Sequence, residues 1–503
     1  MAGDVRTGES GTAIVPVPTP PPSRWIARIE QHKETIGWLL ALAITFGVAA
    51  WVYWIQLEFV IPPGGDPGNW ISISYAYIGG QYPGQVNPYG YPPLLFPLLG
   101  SLVVLTGGPL AAGHLAVPVL LSLLGLTLYA LCRTMLRSVI VSVSLLAILL
   151  LDPSFMALFF WGAEPNLLAF SFVNLALIGL LWTARGRLAG PLVFWIFAAA
   201  AVLSHSLVGL ALAATVGILL ILALFLPLRR TSVVTSGQAG PKEDDPGRIL
   251  GSLFFSTRGL LGFIVFLATV GGWYVLTFAL KIPHPGYFNP GTAGSIAGSY
   301  SNLFRNVVPG LRLAATGVYY LLVLSEVILL LGYAVAVRLR ANWVSTPVLI
   351  VICSWMGVAG LAIIGWLMKV STDYHRFGFL LVIPSGLGIA YIVDRLWLNP
   401  DRRRGALPAP ASEPPASSLE ERALRFRVRP SRIGRTVGTS VLVSVFTAVL
   451  LVTVTAPQFA AFEKQYGGAG HDQSFLDALD AIDHSGLSGS VLTVKGDLKW
   501  TWA

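Results

Sequence analysis

The sequence predicts an all-α polytopic membrane protein: about eleven transmembrane helices, external surface-lying helices and a short external α/β tail. Three observations predict it. Of 503 residues, 54% are hydrophobic and only 11% charged, against roughly a quarter charged in ordinary soluble domains; the mean hydropathy is +0.70. Apolar runs of bilayer-spanning length recur along the chain. The basic residues gather in alternate loops, the pattern of a multi-pass protein with a cytoplasmic bias of Lys and Arg. A chain this apolar cannot cover its own surface in water, which excludes a soluble enzyme, a disordered chain and a collagen-like fibre.

Residues 1–35 read as a disordered cytoplasmic N-terminus and not as a signal peptide. The stretch Pro16–Ser23 is polar and extended, and the first apolar run begins near Ile36. The apolar runs are 36–57, 92–106, 110–131, 139–160, 165–183, 191–204, 206–227, 259–280, 313–336, 344–367, 377–393 and 436–456. If all twelve cross, the arginine pairs fall on the wrong side. If 92–106 does not cross, Arg133/Arg137, Arg185/Arg187, Arg229/Arg230, Arg338/Arg340 and Arg402–Arg404 all become cytoplasmic. That arrangement puts 25 of the 33 Lys and Arg residues inside and 8 outside. The run 92–106 is short, opens with Pro92-Pro93 and contains Pro97, which suits a helix lying along the outer face. The other eleven runs form a transmembrane domain over 36–456 in the plasma membrane, with the N-terminus cytoplasmic and the C-terminus extracytoplasmic.

Four loops organise that domain: external 58–91, cytoplasmic 228–258, external 281–312 and cytoplasmic 394–435. The two cytoplasmic loops are too polar and Pro-rich to order themselves and are expected to be mobile. Arg422 to Arg435 is read as a topology signal, with anionic lipid as the other reading. The loop 281–312 carries Leu303, Val307 and Val308 at surface-helix spacing, with Tyr287, Tyr300, Arg305 and Arg312. In the external segment 457–503, Ser474–His484 has helical periodicity and Ser490–Val494 reads as a strand. The segment opens an α/β domain without completing it, which reads as a truncation. Cys132 and Cys353 lie far apart in apolar runs and read as packing residues, not metal ligands or a disulfide. The net charge of +9 is accounted for by the loops. No basic face is interleaved with aromatics, so nucleic acid is not an expected partner; the lipid bilayer is.

The informative polar residues fall on the outer side. Asp66 stands just before a candidate helix with Pro67 at its first position, where it suits an N-cap. A carboxylate held at that boundary could also accept a proton from an acceptor hydroxyl, and the two roles are compatible. Glu164 opens a helix after Trp161-Gly162-Ala163, read as an exposed acid favoured by the helix dipole. His205 sits where two apolar runs meet, and serves either as a hydrogen-bonded turn residue or as a site group. The densest cluster is Lys369–Arg376, which holds Tyr374 and His375 as well. Lys369 and Arg376 are basic on the side that topology disfavours. Phosphate would explain them, because guanidinium pairs with it bidentately; snorkelling onto lipid headgroups or Asp373 is the alternative.

These residues resemble the GT-C superfamily of integral membrane glycosyltransferases. The resemblance lies in Asp66 in a long first external loop, the surface helix after it and the Tyr91-Pro92-Pro93-Leu94 motif. It extends to Trp161–Asn166, the turn Leu203–Ser206, Arg376-Phe377 opening a late helix, and the external tail from near 457. The resemblance implies a polyprenyl-phosphate-linked sugar donor and a glycan, lipid or protein acceptor on the outer face. It makes Asp66 the catalytic base or a metal-associated residue; beside it, the basic residues Arg376, Lys369 and Arg305 are the expected donor-phosphate ligands, where they would stabilise the charge on the leaving phosphate. Tyr91, Glu164, His205, Tyr374 and His375 would line the substrate cavity. Many members carry a second acid beside the first; here Pro67 follows Asp66. A divalent metal ion remains open as cofactor, with Asp66 as its candidate ligand. Two other readings are a transporter or flippase of envelope lipids, which would favour charges inside the helices, and a non-catalytic envelope-assembly protein. Only Glu326 and Asp152 are charged within the apolar runs, and there is no inverted repeat.

Overall fold

The computed structural model describes residues 24–59, 62, 67–78, 91–152, 158, 162–225, 246–280, 346–367, 375–394 and 481. The described residues form helices and connecting turns, with no strand among them. The expected spans 313–336 and 436–456, the loop 281–312 and all of 457–503 except Ala481 lie outside these residues.

The first helix, α1 (Arg24–Gln56), starts well ahead of the apolar run. Its first turns therefore occupy part of the N-terminal stretch expected to be disordered. The cause is the sequence from Arg24 to Thr35, which has no Gly or Pro and carries good helix formers. A short helix, α2 (Pro67–Tyr77), starts on Pro67 as anticipated. Then follow α3 (Leu95–Thr106), α4 (Pro109–Met135) and α5 (Val139–Leu150). The α5 helix ends sooner than the run 139–160 suggested, at Leu150, with Asp152-Pro153 next in the chain. Next come α6 (Glu164–Ala184), α7 (Gly190–Ser204) and α8 (Ser206–Phe225).

A further correction concerns the loop 228–258. It contains a helix, α9 (Pro246–Phe255), whose Ile249, Leu250 and Leu253 are buried. Their spacing makes one apolar stripe, which the charged and Pro-rich residues before it mask in a composition window. Trp195 Nε1 on α7 donates to the Leu253 carbonyl at 3.0 Å, so α9 is fastened to the bundle. The Ser256 side chain caps α10 (Thr257–Phe266), which continues through a π turn at Leu267–Gly271 into α11 (Gly272–Ala279). The last described helices are α12 (Thr346–Leu367) and α13 (His375–Ile392).

Among the described residues, Gln31–Gln56, Pro109–Met135, Glu164–Ala184 and Thr257–Ala279 are long and apolar enough to cross a bilayer. Several other helices are equally apolar but shorter. This is a helical membrane protein. The helix pairs that pack include α1 on α4, α4 on α6, α6 on α7, α8 on α12, α12 on α13 and α13 on α5. Large apolar side chains such as Leu39, Phe46, Leu261, Ile264 and Phe278 point outward, as a hydrocarbon solvent permits.

Hydrogen bonds sort the helix ends into two sets. At one end, Arg133 of α4 makes a two-point contact with Glu34 of α1, at 2.6 and 3.1 Å. Arg185, just past α6, donates to the Thr134 carbonyl. The carboxylate of Asp394, just beyond α13, accepts from the Arg137 and Ser138 backbone N–H groups at 3.0 and 2.9 Å, at the start of α5. Arg133, Arg137 and Arg185 thus share one end, as the loop assignment requires. At the other end, the His114 ring of α4 reaches the Phe59 carbonyl after α1 at 3.0 Å. There also, the Leu94 N–H donates to the Leu203 carbonyl at 3.0 Å. Leu94 precedes α3, and α4 begins right after α3, so both ends of α3 lie on this side. At 12 residues the helix is about 18 Å long. Leu95–Thr106 thus begins and ends at one end of the bundle.

The two anchors at the arginine end differ in burial, which predicts different costs. Asp394 is fully buried and occupies two backbone donors, so Asp394→Ala is expected to lower stability by about 1–3 kcal/mol. Glu34 is 55% exposed, so Glu34→Ala is expected to cost less than about 1 kcal/mol. Thermal unfolding in detergent, compared across both variants, checks the order.

Candidate functional site

The end of the bundle opposite the arginines collects the predicted site residues that the structure describes. Trp70, in the second turn of α2, is nearly buried and donates its indole N–H to the Gly162 carbonyl at 2.7 Å. Gly162 has φ of 89°, a conformation that L side chains rarely adopt. Two residues on, Glu164 starts α6, with Pro165 also in its first turn. Tyr91 stands edge-on to the Trp70 ring, with centroids 4.9 Å apart. Behind them, Phe96 of α3 lies against both Trp70 and Tyr77. One indole therefore connects α2, Tyr91 of the proline motif and the turn before α6.

Glu164 differs from the expectation. It is not an exposed loop acid; it is 2% exposed, within the packed first turn of α6. Its place next to helix N–H groups still favours a negative charge there. His205 is in extended backbone between α7 and α8 and is also buried. Its Nδ1 lies 3.4 Å from the Val208 N–H, so the ring caps α8, the turn role weighed for it. The backbone tie from Leu94 to Leu203 brings the Tyr91–Leu94 motif up to this turn.

Asp66, Lys369, Tyr374 and Arg305 lie outside the described residues. Asp66 immediately precedes α2, the helix that Trp70 fastens down. His375 and Arg376 form the start of α13. The other end of that helix is pinned by Asp394 at the arginine end, about 28 Å away by helical rise. The first turn of α13 therefore lies toward the side where Trp70, Tyr91, Glu164 and His205 gather. Among the described residues, no group of three or more His, Cys, Asp or Glu is placed to hold a metal ion.

Sequence reasoning passed over Trp70, His114 and Asp394. An aromatic four residues after Asp66 gives no sign of its partner 92 positions on. His114 reads as an interruption in an apolar run until its contact with Phe59 is seen.

The comparison with solved structures then identifies the architecture. The chain matches the crystal structure of ArnT from Cupriavidus metallidurans bound to undecaprenyl phosphate, with a TM-score of 0.52 and 16% identity. The match covers 93% of this chain and 84% of that one. The described helices share the fold of that protein. No protein-family model matches the sequence, and no curated protein matches it.

The Trp70 bond predicts a specific weakness. Trp70→Phe keeps the ring packing but strands the Gly162 carbonyl. It is expected to cost about 1–3 kcal/mol, read as a lower unfolding temperature in detergent, whereas Trp38→Phe, whose ring packs on Tyr129 far from Gly162, should change it less.

Proposed function

We propose that the chain is a membrane glycosyltransferase that moves a sugar from a polyprenyl-phosphate donor to an acceptor hydroxyl at the outer membrane face. The observation that carries this reading is the GT-C fold shared with a protein crystallised with undecaprenyl phosphate. The grouping of Trp70, Tyr91, Glu164 and His205 at the end away from the arginines supports an outer-face site, because basic loops favour the cytoplasm.

The reaction is a single inverting displacement. The acceptor oxygen attacks the anomeric carbon as the bond from that carbon to the phosphate oxygen breaks. Asp66 takes the acceptor's proton while positive charge builds on the sugar. The polyprenyl phosphate departs as a stable anion. Arg376, with Lys369 and Arg305, balances the charge that grows on it. Holding donor and acceptor side by side supplies much of the remaining rate. Tyr91, Glu164, His205, Tyr374 and His375 shape the cavity around the sugar. A divalent metal would sit at Asp66, and no step above runs through it. The acceptor is a glycan, a lipid or a protein.

Membranes carrying the wild-type chain are expected to consume a radiolabelled polyprenyl-phosphate sugar. Asp66→Ala should reduce that consumption at least about a hundredfold at equal expression. Arg376→Ala should raise the donor KM, and Arg376→Lys should restore it only in part. Transfer that is unchanged in Asp66→Ala, or sugar-independent lipid flux that survives it, would assign the chain to transport instead.

Orientation has its own test. Leu188, past α6 at the arginine end, is 72% exposed, and Glu58, after α1 at the other end, is exposed. With an impermeant thiol reagent, Leu188→Cys should react only from the cytoplasm and Glu58→Cys only from outside. The native Cys132 and Cys353 are buried and should stay silent.

A further inference from the structure

Where α4, α6, α8, α12 and α13 meet, they leave a cavity of about 50 Å³. Its wall is mostly apolar, but Asn174, Thr215 and Ser354 line it too. Asn174 is fully buried. Its amide N–H₂ faces the Thr127 hydroxyl oxygen at 3.4 Å, and that hydroxyl's proton is engaged with the carbonyls of Leu123 and Leu124. The orientation of the amide is thereby set, and Asn174 Oδ1 has no hydrogen-bond partner among the described residues. Thr215 and Ser354 give their protons to the carbonyls of Ala211 and Ile350, at 2.9 and 2.8 Å, and retain acceptor lone pairs.

A second observation comes from α13. It contains Pro384, and both Pro384 and Leu380 line the same cavity. Proline has no N–H, so the Leu380 carbonyl lacks its usual helical donor four residues on. The residues lining the cavity therefore carry acceptors from three sources: an amide carbonyl, two hydroxyl oxygens and the backbone carbonyl that Pro384 leaves without its helical donor. None of these lining residues is charged. That chemistry suits a small neutral molecule with two protons to give. It does not suit an anion, and an acyl or isoprenoid chain would leave every acceptor unmet.

We propose that this cavity is an internal hydration site, in which ordered water bridges Asn174 Oδ1 of α6 to the Leu380 carbonyl at the proline break of α13. A water needs roughly 10–15 Å³ of such space, so about three fit. Water is a recognised way for proline to be tolerated within a membrane helix, since it meets the carbonyl the proline has freed. The site would let the two halves of α13 pivot at Pro384 without exposing an unmet carbonyl. This inference stands on the cavity and does not depend on the transferase reading.

Synchrotron hydroxyl-radical footprinting of the full chain in lipid nanodiscs, in ¹⁸O-labelled water and read by mass spectrometry, tests it. Radicals formed from ordered water mark the side chains beside it. Leu212 and Leu387, which line the cavity, are expected to be modified several-fold faster than Leu120 and Leu121, which are equally deep in the bundle. Asn174→Leu and Pro384→Ala, which respectively remove an acceptor and restore a backbone donor, should each reduce that labelling several-fold and leave Leu120 unchanged. Wild-type labelling of Leu212 and Leu387 at the rate of Leu120 would mean a dry or lipid-filled cavity and overturn the proposal. Fast labelling unaffected by either variant would also overturn it.

Discussion

A hydrocarbon layer supplies no hydrogen bonds, and almost every polar feature of this bundle answers to that constraint. The buried hydroxyls of Ser171, Thr183, Ser204 and Thr215 all donate to the carbonyl four residues back in their own helices. Where a helix ends, its leftover groups are taken up by a distant segment. The Leu203 carbonyl meets Leu94, the Gly162 carbonyl meets Trp70, and the first N–H groups of α5 meet Asp394. These long-range ties connect loops far apart in sequence. They also determine which residues can gather at a membrane face.

The two faces are tied by different chemistry. At the arginine end the links are ionic or charge-assisted and partly exposed, as between Arg133 and Glu34. Such links are strong enough to orient helices while leaving charge in contact with water and headgroups. At the opposite end they run to backbone carbonyls: from the Trp70 indole N–H, packed against Tyr91 and Phe96, from the His114 ring and from the Leu94 backbone N–H. α13 is fixed at the arginine end by Asp394 and begins with His375 and Arg376 at the other. Its placement thus links the two faces.

Much of this was legible in the sequence. The alternation of arginine pairs anticipated that Arg133, Arg137 and Arg185 share one end of the bundle. Pro67 marked the start of α2, and the turn at His205 separated α7 from α8. Other features were hidden for definite reasons. The buried stripe of α9 is brief and follows a charged, Pro-rich stretch, so composition spoke for a mobile loop. The α5 helix stops at Leu150 although the residues after it remain apolar, since hydropathy does not register a proline stop. The bond that holds Gly162, two residues before the buried Glu164, comes from Trp70, 92 residues earlier, which no local pattern encodes. Acids and bases can be nominated from a sequence; the groups that position them are long-range contacts.

The turn between α6 and α7 leaves little room between those helices. A methyl group added at Gly179 would strike the backbone of Phe194, and one added at Gly190 would strike that of Thr183. The two main chains therefore approach closely beside the turn, as small residues allow within membranes. A pair so closely fitted has no space for lipid between its members. It would enter the bilayer as one preassembled hairpin during synthesis, giving the later helices a rigid wall on which to stack.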